Sequence, residues 1–229
     1  AYGNYLLAKY ERKEKNYKKE INYLIKGHQN FYKQQKNKFD FGIKYAFDDV
    51  HQIVDGGIIN KSNKKNNVEI KPILIVGVPR CGSTLVERII GSGSQTIPIG
   101  EETRIIGHFI PAKVLEKQSL NLGNVEDLRN ELFKIYKDKG LISKKYNFTF
   151  TDKSLDNFFY LKLIKEIYPN AKIIHCKRNV LSSIMSIFQN NLTFLAWTHD
   201  LDNIFKYFDN YFKIIENYKK TNPKFFYEL

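Results

Sequence analysis

The sequence predicts an α/β protein: a P-loop-like parallel sheet flanked by helices, preceded by a small N-terminal helical segment. Three observations predict it. Ile73-Leu-Ile-Val76 is a short, unbroken apolar run, as expected of a strand buried on both faces. It runs into Gly77–Thr84, a glycine-bearing turn that opens a helical pattern at Leu85. Further short apolar runs then alternate with helical stretches, the arrangement of βαβ units.

Taken in order, residues 5–26 read as one helix, with Leu6, Leu7, Tyr10, Tyr17, Ile21, Leu24 and Ile25 on an approximate stripe. Ile43–Val54 reads as a second, stopped by Gly56-Gly57. Asn60–Asn67 is a polar run with nothing to bury, which places a linker there and divides residues 1–70 from a core at 71–229. After the first strand and its helix at 85–90, strands are expected at Gln95–Ile99, Asn147–Thr151, Lys172–Cys176 and, more weakly, Lys224–Tyr227. Helices are expected at Val125–Tyr136, Asn157–Tyr168, Leu181–Gln189 and Leu201–Tyr218. In the last, Leu201, Ile204, Phe205, Phe208, Phe212 and Ile215 share a face, which makes its aromatics core residues.

The 229 residues carry 42% hydrophobic and 14% aromatic side chains, enough for a packed core. The formal charge of +13 points to anionic partners. Much of that excess is a compositional skew toward Lys, Asn and Ile. Residues 1–72 alone hold 15 Lys or Arg against 8 Asp or Glu, outside the segment that carries the chemistry. Nucleic acid is not an expected partner, because no stacking-aromatic motif accompanies the charge. A membrane is not expected either, since no run approaches the roughly 20 apolar residues of a span. The chain opens on Ala1 with no signal-like segment, so the expectation is a soluble protein or a soluble piece of a longer one. Two cysteines, Cys81 and Cys176, make no disulfide framework, and no Cys/His cluster has metal spacing; a reducing, cytoplasmic setting is expected.

In open parallel sheets, ligands bind beyond the carboxyl ends of the strands. Here those ends carry Gly77-Val-Pro-Arg-Cys-Gly-Ser-Thr84, Gly100-Glu-Glu-Thr-Arg104, Asp152-Lys153 and Lys177-Arg178. The first turn would aim backbone N–H groups and a helix dipole at an anion, with Arg80, Ser83 and Thr84 adding donors. Gly77 and Gly82 have the separation of a kinase-type phosphate loop, but Ser83 stands where that loop places its Lys. Ordinary ATP or GTP hydrolysis is therefore disfavoured, and a nucleotide kinase is the weaker alternative.

Val78–Leu85 resembles the 5′-phosphosulfate loop of sulfotransferases, and Gly100–Arg104 is similar to the acidic motif of tyrosylprotein sulfotransferases. Asp152-Lys153, Tyr168–Lys172 and Lys177-Arg178 resemble the same family and bacterial sulfotransferases with tetratricopeptide segments. Lys18–Phe31 is weakly similar to a terminal tetratricopeptide repeat, which would make the N-terminal helices a site for a protein partner. The resemblance implies a donor, 3′-phosphoadenosine 5′-phosphosulfate (PAPS), the product 3′,5′-ADP, no metal, and a hydroxyl acceptor on peptide tyrosine, carbohydrate or a small molecule.

It implies roles too. Arg80, Cys81, Gly82, Ser83 and Thr84 would hold the 5′-phosphosulfate. Arg178 and Ser186 would hold the 3′-phosphate, with Ser182 and Ser183 as neighbours that could substitute, although Asn179-Val180 departs from the family's Asp-Pro. Lys153, with Arg80, would stabilise the leaving group. The family's catalytic base is a Glu; motif identity assigns it to Glu102 and counting from Arg80 assigns it to Glu101. Glu101 with Arg104 would then be a structural or acceptor-binding pair, and His108 is an alternative base outside the motif. His175, in mid-strand, is expected to be packed. The family continues past Leu229, so the resemblance implies a C-terminally incomplete core. A homodimer stays open.

Overall fold

The computed structural model describes residues 2–61, 70–93 and 97–229. Its contacts divide the chain into two compact units, one of residues 1–49 with 179–210, the other of 50–178 with 211–229. The expected division at 70 was drawn on composition, and most of the polar run behind it, from residue 62 on, lies outside the described residues.

The larger unit holds a four-stranded sheet. β2 (Lys71–Gly77), β4 (Thr149–Asp152), β5 (Lys172–Cys176) and β6 (Phe226–Glu228) are all parallel, in the order β4-β2-β5-β6. The strand at residues 73–76 is central, with Leu74, Ile75 and Val76 fully buried, as its unbroken apolar run requires. A second, two-stranded parallel sheet pairs β1 (Ile58–Asn60) with β3 (Asn121–Asn124). Those strands are three and four residues long, too short for periodicity to reveal. The helices of this unit are α4 (Val50–Gly56), α5 (Ser83–Gly91), α6 (Ile105–Lys117), α7 (Val125–Asp138) and α8 (Leu161–Ile167).

Three expectations need correction. The helix over 5–26 is two: α1 (Tyr2–Lys13) and α2 (Tyr17–Gln34), broken where Lys15 takes φ 60° and Asn16 N–H returns to the Glu11 carbonyl. The strand over 95–99 is not formed where it is described, since 97–100 are irregular. Pro98 can donate no ladder bond, and Glu101 turns the chain with φ 45°; the segment only touches β4, through Thr151 N–H to Pro98 O and Lys153 N–H to Glu101 O. The helix over 157–168 begins as a 3₁₀ segment, Leu155–Tyr160. No helix of the described residues is long and apolar enough to cross a membrane.

The smaller unit is helical: α1, α2, α3 (Lys36–Lys44), α9 (Val180–Phe188) and the first half of α10 (Leu201–Thr221). Its centre holds two buried imidazoles. His28 Nε2 donates to Phe188 O at 2.7 Å, which leaves its Nδ1 to accept, and that nitrogen faces His199 Nδ1 at 3.0 Å and Tyr5 OH at 3.0 Å. Two nitrogens in contact share one proton. Burial lowers both pKa values, that of His199 to about 4. A lowered folded-state pKa contributes stability in full above the ordinary 6.5 and loses it as pH falls toward 4, because the unfolded chain takes up the protons first. Thermal unfolding followed from about pH 7 to about pH 4 should show a falling midpoint. His199→Phe, which can keep the stacking on Phe39, should flatten that slope; an unchanged slope would remove the pair from its cause.

Candidate active site

β2, β4 and β5 end at one rim. Register pairs Leu74 with Asp152 and Gly77 with Cys176, so the segments that follow each strand emerge side by side. The expected turn occupies this rim. Cys81 N–H closes onto Val78 O at 3.3 Å, and Arg80 and Gly82 both take left-handed backbone, with φ 71° and 98°. Gly82 caps α5, whose first turn carries the positive end of the helix dipole. Gly77 has no room for a side chain: a Cβ there would meet Cys81 Sγ at 2.8 Å and Cys176 O at 3.1 Å. Ser83 is buried, whereas Thr84 and Arg80 are exposed. Arg178, following β5, donates from Nη1 to Arg80 O at 2.8 Å, so its guanidinium lies on the turn.

The second cluster is built on Asp152. That carboxylate is fully buried and has four donors: Tyr136 OH (2.9 Å) and Thr103 Oγ1 (2.9 Å) on one oxygen, Ser154 N–H (3.0 Å) and Oγ (2.6 Å) on the other. Ser154 Oγ in turn accepts Arg104 N–H at 2.8 Å. The Gly100–Arg104 motif is thereby tied to the end of β4 without strand pairing. On it, Glu102 Oε1 lies 3.4 Å from Lys153 Nζ and Glu102 Oε2 lies 3.7 Å from Arg104 Nη2. The Lys153 side chain is only 7% exposed, and Glu102 is 52% exposed. A buried ammonium thus meets a carboxylate that faces solvent. Asp156, nearby, has its pKa raised by burial, against the opposing Arg104 guanidinium.

Glu87 was not legible as a site residue. It sits one turn after Ser83 on the same buried face of α5 and is 2% exposed. Its Oε1 accepts Thr151 Oγ1 at 2.7 Å and Glu101 N–H at 3.1 Å. Burial raises its pKa, with the Thr151 hydrogen bond and the Lys153 charge opposing. Glu87 therefore links the helix that starts at the anion turn to the acidic motif. The i,i+4 spacing from Ser83 was the one available signal.

The structure brings Arg80, Cys81, Gly82, Ser83, Thr84 and Arg178 together, and separately groups Glu102, Arg104 and Lys153 on the same rim. Glu101 contributes its backbone: its N–H meets Glu87 and its carbonyl accepts Lys153 N–H at 2.7 Å. Ser186 lies on α9, in the other compact unit, where its carbonyl accepts Asn190 Nδ2 at 2.6 Å. Ser183, on the same helix, is fully buried. His108 is exposed on α6. His175 is packed, with Nδ1 3.2 Å from Glu228 Oε2 and Nε2 bonded to Tyr211 OH, and burial lowers its pKa.

A protein-family model described as the sulfotransferase family matches residues 72–229. An uncharacterised protein of Aquifex aeolicus (strain VF5) is 28% identical over 200 residues, covering 83% of this chain and 26% of its own length. The chain thus spans about a quarter of that relative.

Proposed function

The chain belongs to the sulfotransferase family, and on that premise we propose that it moves the sulfuryl group of PAPS to an acceptor hydroxyl, that of a peptide tyrosine. The observation that carries the reading is the contact between Arg178 and the turn at Arg80. PAPS has anionic groups at both ends of an adenosine. An N–H-rich turn and a guanidinium gathered on one rim suit such a molecule.

In this reading Arg80, Cys81, Gly82, Ser83 and Thr84 receive the 5′-phosphosulfate, and Arg178 with Ser186 receives the 3′-phosphate. Transfer is an in-line displacement at sulfur: the acceptor oxygen bonds to sulfur as the bond to the phosphate oxygen breaks, leaving 3′,5′-ADP. Charge grows on that oxygen, and Lys153 and Arg80 stabilise it. A phenol with a pKa near 10 needs its proton removed. Glu102 takes that role in this reading, a choice supported by its contacts with Lys153 and Arg104. Glu101 serves the fold through its backbone, and Arg104 orients the acceptor.

Sulfur-labelled PAPS supplied with tyrosine peptides, glycans and phenols tests this. Glu102→Gln should cut transfer by about 10²-fold or more. Glu101→Gln should cost only a few-fold. The reverse order would move the base to Glu101, and label on glycans alone would change the acceptor class.

A further inference from the structure

The two cysteines of the chain, distant in sequence, meet at the rim. β2 and β5 are parallel neighbours whose last residues, Gly77 and Cys176, are paired in register. Cys81 folds back over that pair. A Cβ placed on Gly77 would lie 2.8 Å from Cys81 Sγ and 3.6 Å from Cys176 Cβ, so the bare glycine is what lets the two thiols approach. Both are free, and their side chains flank the same bare glycine. Their surroundings differ. Cys176 is 2% exposed, whereas Cys81 is half-buried. Cys81 directly precedes Gly82, the cap of α5, and so sits at the positive end of that helix.

We propose that Cys81 is a thiol–disulfide exchange site, with Cys176 as its resolving thiol and small-molecule disulfides such as oxidised glutathione as the co-reactant. The Cys81 thiolate attacks one sulfur of the external disulfide. That S–S bond breaks, one glutathione leaves as its thiolate, and a Cys81–glutathione mixed disulfide remains. Cys176 gives its proton to the departing thiolate and attacks Cys81 Sγ, which expels the second glutathione. The protein dithiol loses two electrons and two protons, and the glutathione disulfide gains both, as two thiols. Exposure fixes the order, because only Cys81 can be reached from solvent. The step needs no nucleotide, and it stands whether or not the turn binds one.

The hydrogen bond from Cys176 comes first among the causes that lower the Cys81 pKa, to about 6, while the same contact and burial raise that of Cys176. At neutral pH the thiolate fraction of such a thiol is about thirty-fold that of an ordinary one. Its lower intrinsic nucleophilicity takes most of that back, leaving a rate gain of roughly two- to three-fold. The pH midpoint, not the rate, is the diagnostic.

Intact-mass spectrometry of the reduced protein with oxidised glutathione at neutral pH is the test. The unmutated chain should lose two hydrogens, reversibly with dithiothreitol. Cys176→Ser should stop at one glutathionyl group, and Cys81→Ser should take up none. Alkylation of Cys81 in the unmutated protein, which involves no change to the buried partner, should titrate with a midpoint close to 6. A midpoint near the ordinary thiol range, retention of both hydrogens, or glutathione added to Cys176 in Cys81→Ser would each overturn the proposal.

Discussion

Lys153→Ala is expected to lower sulfuryl transfer about 10²–10³-fold, with much less loss of affinity for 3′,5′-ADP. The ammonium is nearly buried, and its position is over-determined. Its backbone N–H is bonded to Glu101 O at 2.7 Å and its Nζ lies 3.4 Å from Glu102. A cation fixed in advance stabilises charge that develops late, and it does so without reorganisation. Lys153→Arg should recover only part of the rate, because a planar guanidinium does not fit the place of a compact ammonium.

The same variant carries a stability signature. Glu87 has a raised pKa, and the Lys153 charge is one of the things that hold it down. Without the ammonium that pKa rises further. A carboxyl with a raised folded-state pKa favours the fold below its ordinary value and loses that contribution as pH rises through the folded value. Denaturant unfolding of Lys153→Ala should therefore show a stability deficit that grows from acidic to neutral pH. A deficit independent of pH would mean that Glu87 and Lys153 are not coupled.

The second large effect is at Arg178. Arg178→Ala should weaken 3′,5′-ADP binding by about 100-fold or more, as expected when a charged donor to a phosphate is lost. Two functions go at once, the phosphate contact and the tie to Arg80 O at 2.8 Å that steadies the turn. Arg178→Lys restores charge without the fork of parallel donors, so affinity should return only in part. Equal affinities for the unmutated protein and Arg178→Ala would place the 3′-phosphate elsewhere.

The parts of this architecture that were legible in the sequence are those where one physical demand acts on a short segment. Residues 73–76 had to be apolar to sit in the middle of a parallel sheet, and 77–84 had to carry glycines to turn at Gly82 with φ 98°. The place of Arg178 was legible because it lies two residues past the end of a strand of the same kind. The Asp152 hub was not, since beyond the neighbouring Ser154 its donors Thr103 and Tyr136 come from two distant segments that no spacing links. Glu87 read as an ordinary charged residue of an amphipathic helix until tertiary contacts buried it. The single helix over 5–26 failed because a continuous stripe does not report one residue, Lys15, in left-handed backbone. In the described part of the expected strand at 95–99 the reason is different: residues 97–99 are irregular, and Pro98 accepts from Thr151 N–H but has no N–H to return.

The proposed chemistry requires that this rim grip a nucleotide phosphorylated at both ends. Titration calorimetry of the unmutated chain with 3′,5′-ADP, run beside 5′-ADP with magnesium, measures that directly. Saturable binding of 3′,5′-ADP, tighter by about tenfold or more than that of magnesium 5′-ADP, is the predicted result. No heat from 3′,5′-ADP, or a preference for the magnesium nucleotide, would contradict it.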